Sequence, residues 1–224
     1  MAEKVQKGDV IKIDFVGKVK ETGEVFDTTK EEVAKEANIY NEKNKYKPIS
    51  VVVGEEMLVK GLDEAIEGKE VGETFTVEVP PEKGFGKRDP KLITTVSEAE
   101  LRSANIVPKV GQAIRIGNNV GRIVAISGGR VTIDFNHPLA GKTLVYEVTI
   151  VSKAKDDKEK AEYLTEFVFG DVDKIEIEVD GNVVKLKFNE EMSKDPLTVT
   201  RCMVLKEFLG KAIKDVKLNI NLTI

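Results

Sequence analysis

Apolar residues fall in partly alternating register through Val10, Ile11, Ile13, Phe15 and Val19, the period of a strand with one buried face. The Glu21-Thr22-Gly23 turn then predicts a short return strand ending at Phe26-Asp27. Residues 28–47 are mostly polar, with weak helical spacing around Val33, Ala34 and Ala37, and read as a long exposed loop or a frayed helix. A β-branched run at 49–53 is a strand. Residues 58–66 switch to helical spacing through Leu58, Leu62, Ala65 and Ile66, with Gly68 as the stop, and residues 74–79 return to strand.

Beyond Pro80-Pro81 and Gly84-Phe85-Gly86 the pattern changes. Ser97-Glu98-Ala99-Glu100 has the form of a capping box, in which serine and glutamate side chains satisfy the free amides of a helix start, so a short helix is expected over 97–103. Strands follow at 111–116, 120–126 and 130–135, joined by Gly117-Asn118-Asn119 and by Ser127-Gly128-Gly129. Strand alternation then resumes at Leu144, Tyr146, Val148 and Ile150. The expected organisation is therefore a first domain over 1–86 and 135–152, interrupted by a small β-rich domain over 87–134.

From Lys153 to Lys160 the chain is a charged run, a linker or an exposed helix start. Tyr163, Leu164, Phe167 and Val168 form a helical stripe that stops near Gly170, and Ile175, Ile177 and Val179 turn at Asp180-Gly181 into Val184, Leu186 and Phe188. A second helix carries Val204, Leu205, Phe208, Leu209 and Ile213. Strict alternation of Val216, Leu218, Ile220, Leu222 and Ile224 closes the chain. This α-β-β-α-β pattern predicts a third domain over 153–224, and the whole chain reads as α+β. The last strand, with little charge beside Lys217, is either covered within its domain or pairs with a second copy, and a homodimer is the reading taken.

Composition narrows the chemistry. With 224 residues and 41% hydrophobic content the chain can bury sizeable cores, and it has no apolar run near membrane-spanning length. The start Met1-Ala2-Glu3-Lys4 lacks a signal-peptide pattern, so a cytoplasmic protein is expected. One cysteine, Cys202, and one histidine, His137, argue against a disulfide, a thiolate metal cluster or a histidine-built metal site, and no cofactor is expected. The net charge of −4 is uneven: residues 87–134 hold eight Lys/Arg against four Asp/Glu, a surplus too dispersed to suggest nucleic acid.

The order of residues supplies the function. Phe15, Gly23 ahead of Phe26-Asp27, Ile49, Gly54, Leu58-Val59 before Gly61-Leu62, Val71-Gly72-Glu73, Phe85-Gly86 and Tyr146 together resemble the FKBP-type peptidyl-prolyl isomerases, and within them the SlyD-like subgroup with a second domain inserted in the flap. The resemblance spans about residues 5–152. It implies an antiparallel sheet wrapped on a short helix and an apolar pocket around proline. Its wall would be Phe15, Phe26, Ile49, Leu58, Val59, Leu62, Phe85 and Tyr146, with Asp27 beside the twisting carbonyl, the Val59 amide as donor to the peptide carbonyl, and Leu139 at the flap return. Asp27, Phe85 and Tyr146 are the expected catalytic positions.

Two positions depart from the family pattern. Leu62 stands where tryptophan is common and Phe85 where tyrosine is common, which bears on affinity for macrolide inhibitors more than on isomerase activity. The resemblance further implies that 87–134 binds unfolded chains and hands them to the pocket, making the partners unfolded or partly folded proline-containing polypeptides rather than nucleic acid or membrane. The alternative is a holdase or a proline-peptide adaptor without significant catalysis. His137 before Pro138 reads as a structural hydrogen-bonding residue, and Cys202 as a buried thiol.

Overall fold

The computed structural model describes residues 3–170 and 172–222, so the Met1-Ala2 start and the Thr223-Ile224 end of the alternating run lie outside the described residues. The chain separates into two compact units, Met1–Lys83 with Thr143–Ile224, and Gly84–Lys142. Both combine helices with largely antiparallel sheets, in line with a mixed α/β chain.

The first unit is built on β1 (Val10–Val19), β2 (Val25–Thr28), helix α1 (Glu31–Glu36), β3 (Ile49–Val52), helix α2 (Lys60–Ile66) and β4 (Thr74–Val79). After the second unit it resumes with β9 (Leu144–Lys153). β9 lies between β1 and β4, while β2 and β3 share the other edge of β1, opposite its two halves. Register fixes the faces, since paired residues project to the same side. Phe15 pairs with Val148, Gly17 with Tyr146, and Ile13 with both Ile49 and Ile150, which puts these side chains on one face.

On the opposite face, β1 and β3 are covered by the C-terminal part of the chain. This runs through α4 (Asp157–Phe169), β10 (Ile175–Asp180), β11 (Val183–Phe188), α5 (Glu190–Ser193), α6 (Thr198–Ala212) and β12 (Lys217–Leu222). The charged run is the start of α4: Asp156 caps it by accepting the Glu159 amide at 2.8 Å. Val10 of β1 and Val52 of β3 belong to the same buried cluster as Leu164 of α4, Leu186 and Phe188 of β11, and Cys202 and Leu205 of α6. Two ion pairs tie α4 down beside it, from Glu166 to Lys12 at 2.6 Å and to Lys47. β10 and β11 are antiparallel, and β12 pairs parallel to β11 on the edge, so its alternating residues find less cover than the pattern suggested: Ile220 is 41% exposed.

The Glu166 pairing has a pH signature. Its lysine partners hold the carboxyl below its ordinary 4.5 although partial burial pushes the other way. A carboxyl depressed in the folded state contributes stability that is complete above the unfolded pKa and is lost as pH falls through the folded one. The stability difference between wild type and Glu166→Gln, measured by urea unfolding at a series of pH values, should therefore be largest near neutrality and shrink steadily below about pH 4.5.

The second unit is a four-stranded sheet in the order β5 (Ile93–Ser97), β8 (Arg130–Asp134), β7 (Asn119–Ser127) and β6 (Ala113–Ile116), with α3 (Glu98–Ser103) between β5 and β6 in the chain. The capping box forms as the sequence predicts, Ser97 and Glu100 bonding back to the helix start. β5 was not legible in the alternation, and it completes the sheet against β8. Leu101, Ile114, Ile123, Val131 and Ile133 make a small core. Val107, Val110 and Val120 remain 59%, 63% and 56% exposed. At the neck of this unit Arg88 and Asp134 pair at 2.6 Å, and Asp89 and Asn136 exchange two hydrogen bonds.

Candidate active site

The site begins with a glycine inside a strand. A Cβ at Gly17 would lie 2.7 Å from Phe26 Cζ and 3.0 Å from Tyr146 Cε1, so only a residue without a side chain lets the two rings close over β1. The rings of Phe26 and Tyr146 meet edge to face at 5.7 Å, and Phe15 stands 6.1 Å from Tyr146 at 59°. Phe15 and Tyr146 are 7% and 4% exposed. Two threonines lock β2 against β1 to hold this arrangement. Thr28 Oγ1 donates to the Phe15 carbonyl at 2.9 Å, while Thr29 Oγ1 accepts the Phe15 amide at 2.9 Å and donates to Asp14 at 2.7 Å.

Asp27 follows Phe26 at the edge of the cluster and keeps contact with solvent. Partial burial raises its carboxyl above the ordinary range, and the Thr28 amide, donating at 2.9 Å, draws it back. Burial, with the nearby Asp27 charge, pushes the Tyr146 phenol well up, so Tyr146 stays a neutral hydroxyl through the neutral range. The cluster is thus largely apolar, with one carboxylate at its rim.

Leu58, Val59 and Leu62 arrive from the start of α2. The loop before it is fastened by Asp63, a buried carboxylate that accepts the Gly54 amide at 2.9 Å and the Glu56 amide at 3.0 Å. Val59 is the residue that begins the helix; its carbonyl accepts from Leu62 and Asp63, and among the described residues its own amide has no acceptor. Gly61 brings α2 close to β4, where a Cβ would fall 2.8 Å from Val79 Cγ1. Leu62 is buried, and Ile49 shares the sheet face of Phe15.

The structure therefore joins Phe15, Phe26, Asp27 and Tyr146 directly, with Ile49 on their sheet face and Leu58, Val59 and Leu62 on the α2 start. Phe85 and Leu139 belong to the second unit. There the Phe85 ring stacks on His137 at 4.3 Å, and the Leu139 amide donates to His137 Nδ1 at 3.1 Å, the hydrogen-bonding role expected of this histidine. Gly17, Thr28, Thr29 and Asp63 were absent from the sequence reading. Only Gly17 carried a signal, as a lone glycine within a strand pattern. Among the described residues no group of three or more His, Cys, Asp or Glu could hold a metal ion, and no helix is long and apolar enough to cross a membrane.

Comparison with known proteins decides the family. Residues 1–151 match the model of the FKBP-type peptidyl-prolyl cis-trans isomerases. The chain belongs to this family. A short-type peptidyl-prolyl cis-trans isomerase of Methanocaldococcus jannaschii is 41% identical over 150 residues, covering 67% of this chain and 94% of that protein. The FKBP-type 16 kDa isomerase of Escherichia coli K12 is 30% identical over 156 residues, 67% of this chain and 95% of that protein. The SlyD isomerase of Haemophilus influenzae is 34% identical over 109 residues, 47% of this chain and 57% of that protein. The three FKBP domains of wheat FKBP73 overlap at a TM-score of 0.36 and 19% identity, over 70% of this chain and 43% of that one, too loosely to bear on the fold. Residues 152–224 lie beyond the family match.

Proposed function

We propose that Phe15, Phe26, Ile49, Leu58, Val59, Leu62 and Tyr146 form the proline-binding wall of this isomerase, with Asp27 beside the twisting carbonyl and the Val59 amide as the donor that sets the register of the peptide. Phe85 and Leu139 keep, within this proposal, the catalytic and rim positions that the family pattern gives them. The observation that carries the reading is the pair of Phe26 and Tyr146 rings closed over Gly17, with Phe15 against Tyr146 and a carboxylate at the rim.

The chemistry asks for little more. Rotation about an X-Pro bond sacrifices amide resonance at a barrier of roughly 20 kcal/mol. The twisted amide is less dipolar than the planar one, so a site that strips water from it favours the transition state. A thousandfold acceleration needs only about 4 kcal/mol. One free backbone donor and a dry aromatic wall supply effects of this size without a nucleophile. Asp27→Ala should lower kcat/KM on a short X-Pro peptide by about tenfold with an unchanged fold. Full activity in that variant, measured by NMR exchange on the peptide, would remove Asp27 from the site.

The same proposal makes residues 87–134 a client-binding domain inserted in the flap and residues 153–224 a third domain, in a cytoplasmic folding factor. Exposed Val107, Val110 and Val120 support the first assignment, because they leave apolar side chains open to an unfolded chain. The exposed edge strand β12, with Ile220 and Leu222 uncovered, supports a homodimer. Sedimentation at micromolar concentration should give twice the chain mass of 24.8 kDa, and a value near the single-chain mass would refute the dimer.

A further inference from the structure

The irregular stretch between α1 and β3 is held by residues that the family domain does not include. Lys47 Nζ donates to Glu166 Oε1 and, at 2.8 Å, to the carbonyl of Gly170 at the end of α4. Lys45 Nζ reaches the same carbonyl at 3.3 Å. Lys12 Nζ, on β1, takes the other Glu166 oxygen at 2.6 Å, so a single carboxylate bridges the sheet and the loop. A helix C-terminus attracts cations in its own right, which adds to the hold on both loop lysines. Between loop and helix lies a cavity of about 360 Å³ lined by Lys47, Pro48, Ile49, Phe167 and Phe169 among others.

Lys47 is two residues before Ile49, the first residue of β3. Residues 38–48 contain no helix or strand. Ordering such a segment when substrate binds would subtract from affinity, whereas a segment already anchored in the folded state brings no such cost. The anchor comes from outside the isomerase family match, which ends at residue 151.

We propose that Glu166 is a positioning residue for isomerisation: through Lys47 it holds the 38–48 segment and the entry to β3, and so keeps Ile49 in its substrate-ready place. Residues beyond the family domain thereby set substrate affinity. The inference rests on the assignment of Ile49 to the proline-binding wall.

The test measures KM and kcat of the full chain on a short X-Pro peptide at about 0.05 M and about 0.5 M salt, conditions that leave a partly exposed ion pair largely unscreened and largely screened. Lys47→Met and Glu166→Gln should each raise KM about threefold to fivefold at low salt with kcat unchanged, in keeping with the modest worth of partly exposed pairs. Lys47→Arg, which preserves both donations, should restore the wild-type KM. The double variant should fall short of the sum of the two single effects, and high salt should raise the wild-type KM more than theirs. Lowered unfolding temperatures with an unchanged KM would reduce the contact to a structural tie and overturn the proposal, as would additive effects in the double variant. Ile49→Ala separates the two levels. If it raises KM while Lys47→Met does not, the positioning role fails and the pocket assignment stands; if neither does, both fail.

Discussion

Removing residues 88–134 and joining the ends with a short glycine-serine linker is expected to lower catalysis of proline-limited refolding by about 10²-fold, while turnover of a short X-Pro peptide stays within about twofold. The two substrates differ in length. An unfolded chain held weakly on one module presents its prolines to a tethered pocket at high effective concentration, a gain that a peptide of a few residues is too short to collect. The deletion is geometrically mild because the ends of the segment already lie side by side, with Arg88 and Asp134 paired at 2.6 Å and Asp89 and Asn136 bonded to each other. The removed part also has its own core, centred on Ile123, Val131 and Ile133, so its loss leaves no cavity in the other unit's core. An equal loss on both substrates would place the insert in the chemistry itself, and no loss on refolding would end its role as a client-binding domain.

Tyr146→Ala is expected to cost about 3–5 kcal/mol of stability in urea unfolding and to lower kcat/KM on a short peptide by at least about tenfold. The ring fills the space over Gly17 and meets both Phe15 and Phe26, so its removal leaves a cavity bounded by the side chains proposed to grip proline. Tyr146→Phe keeps the ring and removes only a hydroxyl, and should stay within about 1 kcal/mol of wild type with nearly full activity. Unfolding is best followed by far-ultraviolet circular dichroism, since the chain has no tryptophan. If the phenylalanine variant lost as much as the alanine one, the hydroxyl rather than the aromatic wall would carry the site.

Long strands with one buried face were legible in the sequence. β1, β4 and β9 appear where alternation put them, because the sheet of the first unit is apolar on one face and the register leaves no other solution. The capping box at Ser97 fixed the start of α3 for an equally local reason. β5 escaped notice because Ile93-Thr94-Thr95-Val96-Ser97 has only two large apolar residues, and its strand character comes from pairing with β8. The charged run before Tyr163 left a linker and an exposed helix start both open because its residues turn mostly to solvent, and the second is what forms as the first turn of α4. Helix α5 is a single turn with no periodicity to read. β12 shows the converse, an alternating pattern whose apolar residues are half uncovered.

The site divides along the same line. The aromatic and aliphatic residues proposed for its wall came from the order of family motifs, which preserves spacing across the chain. What holds them in place was not. Thr28, Thr29 and Asp63 act through hydrogen bonds to backbone that only the folded chain brings near, and Glu166 meets Lys47 from 119 residues away. No local pattern encodes such pairings, and they are the part of the site that folding rather than sequence makes visible.

The most direct test of where proline binds is the amide spectrum of the ¹⁵N-labelled full chain with a saturating short X-Pro peptide. The Val59 amide, which has no acceptor among the described residues, should move downfield as it donates to the peptide carbonyl, with Asp27, Ile49, Leu62 and Tyr146 perturbed alongside it. Perturbations confined to residues 87–134 or to 153–224, with Val59 unmoved, would contradict the account and place the peptide elsewhere.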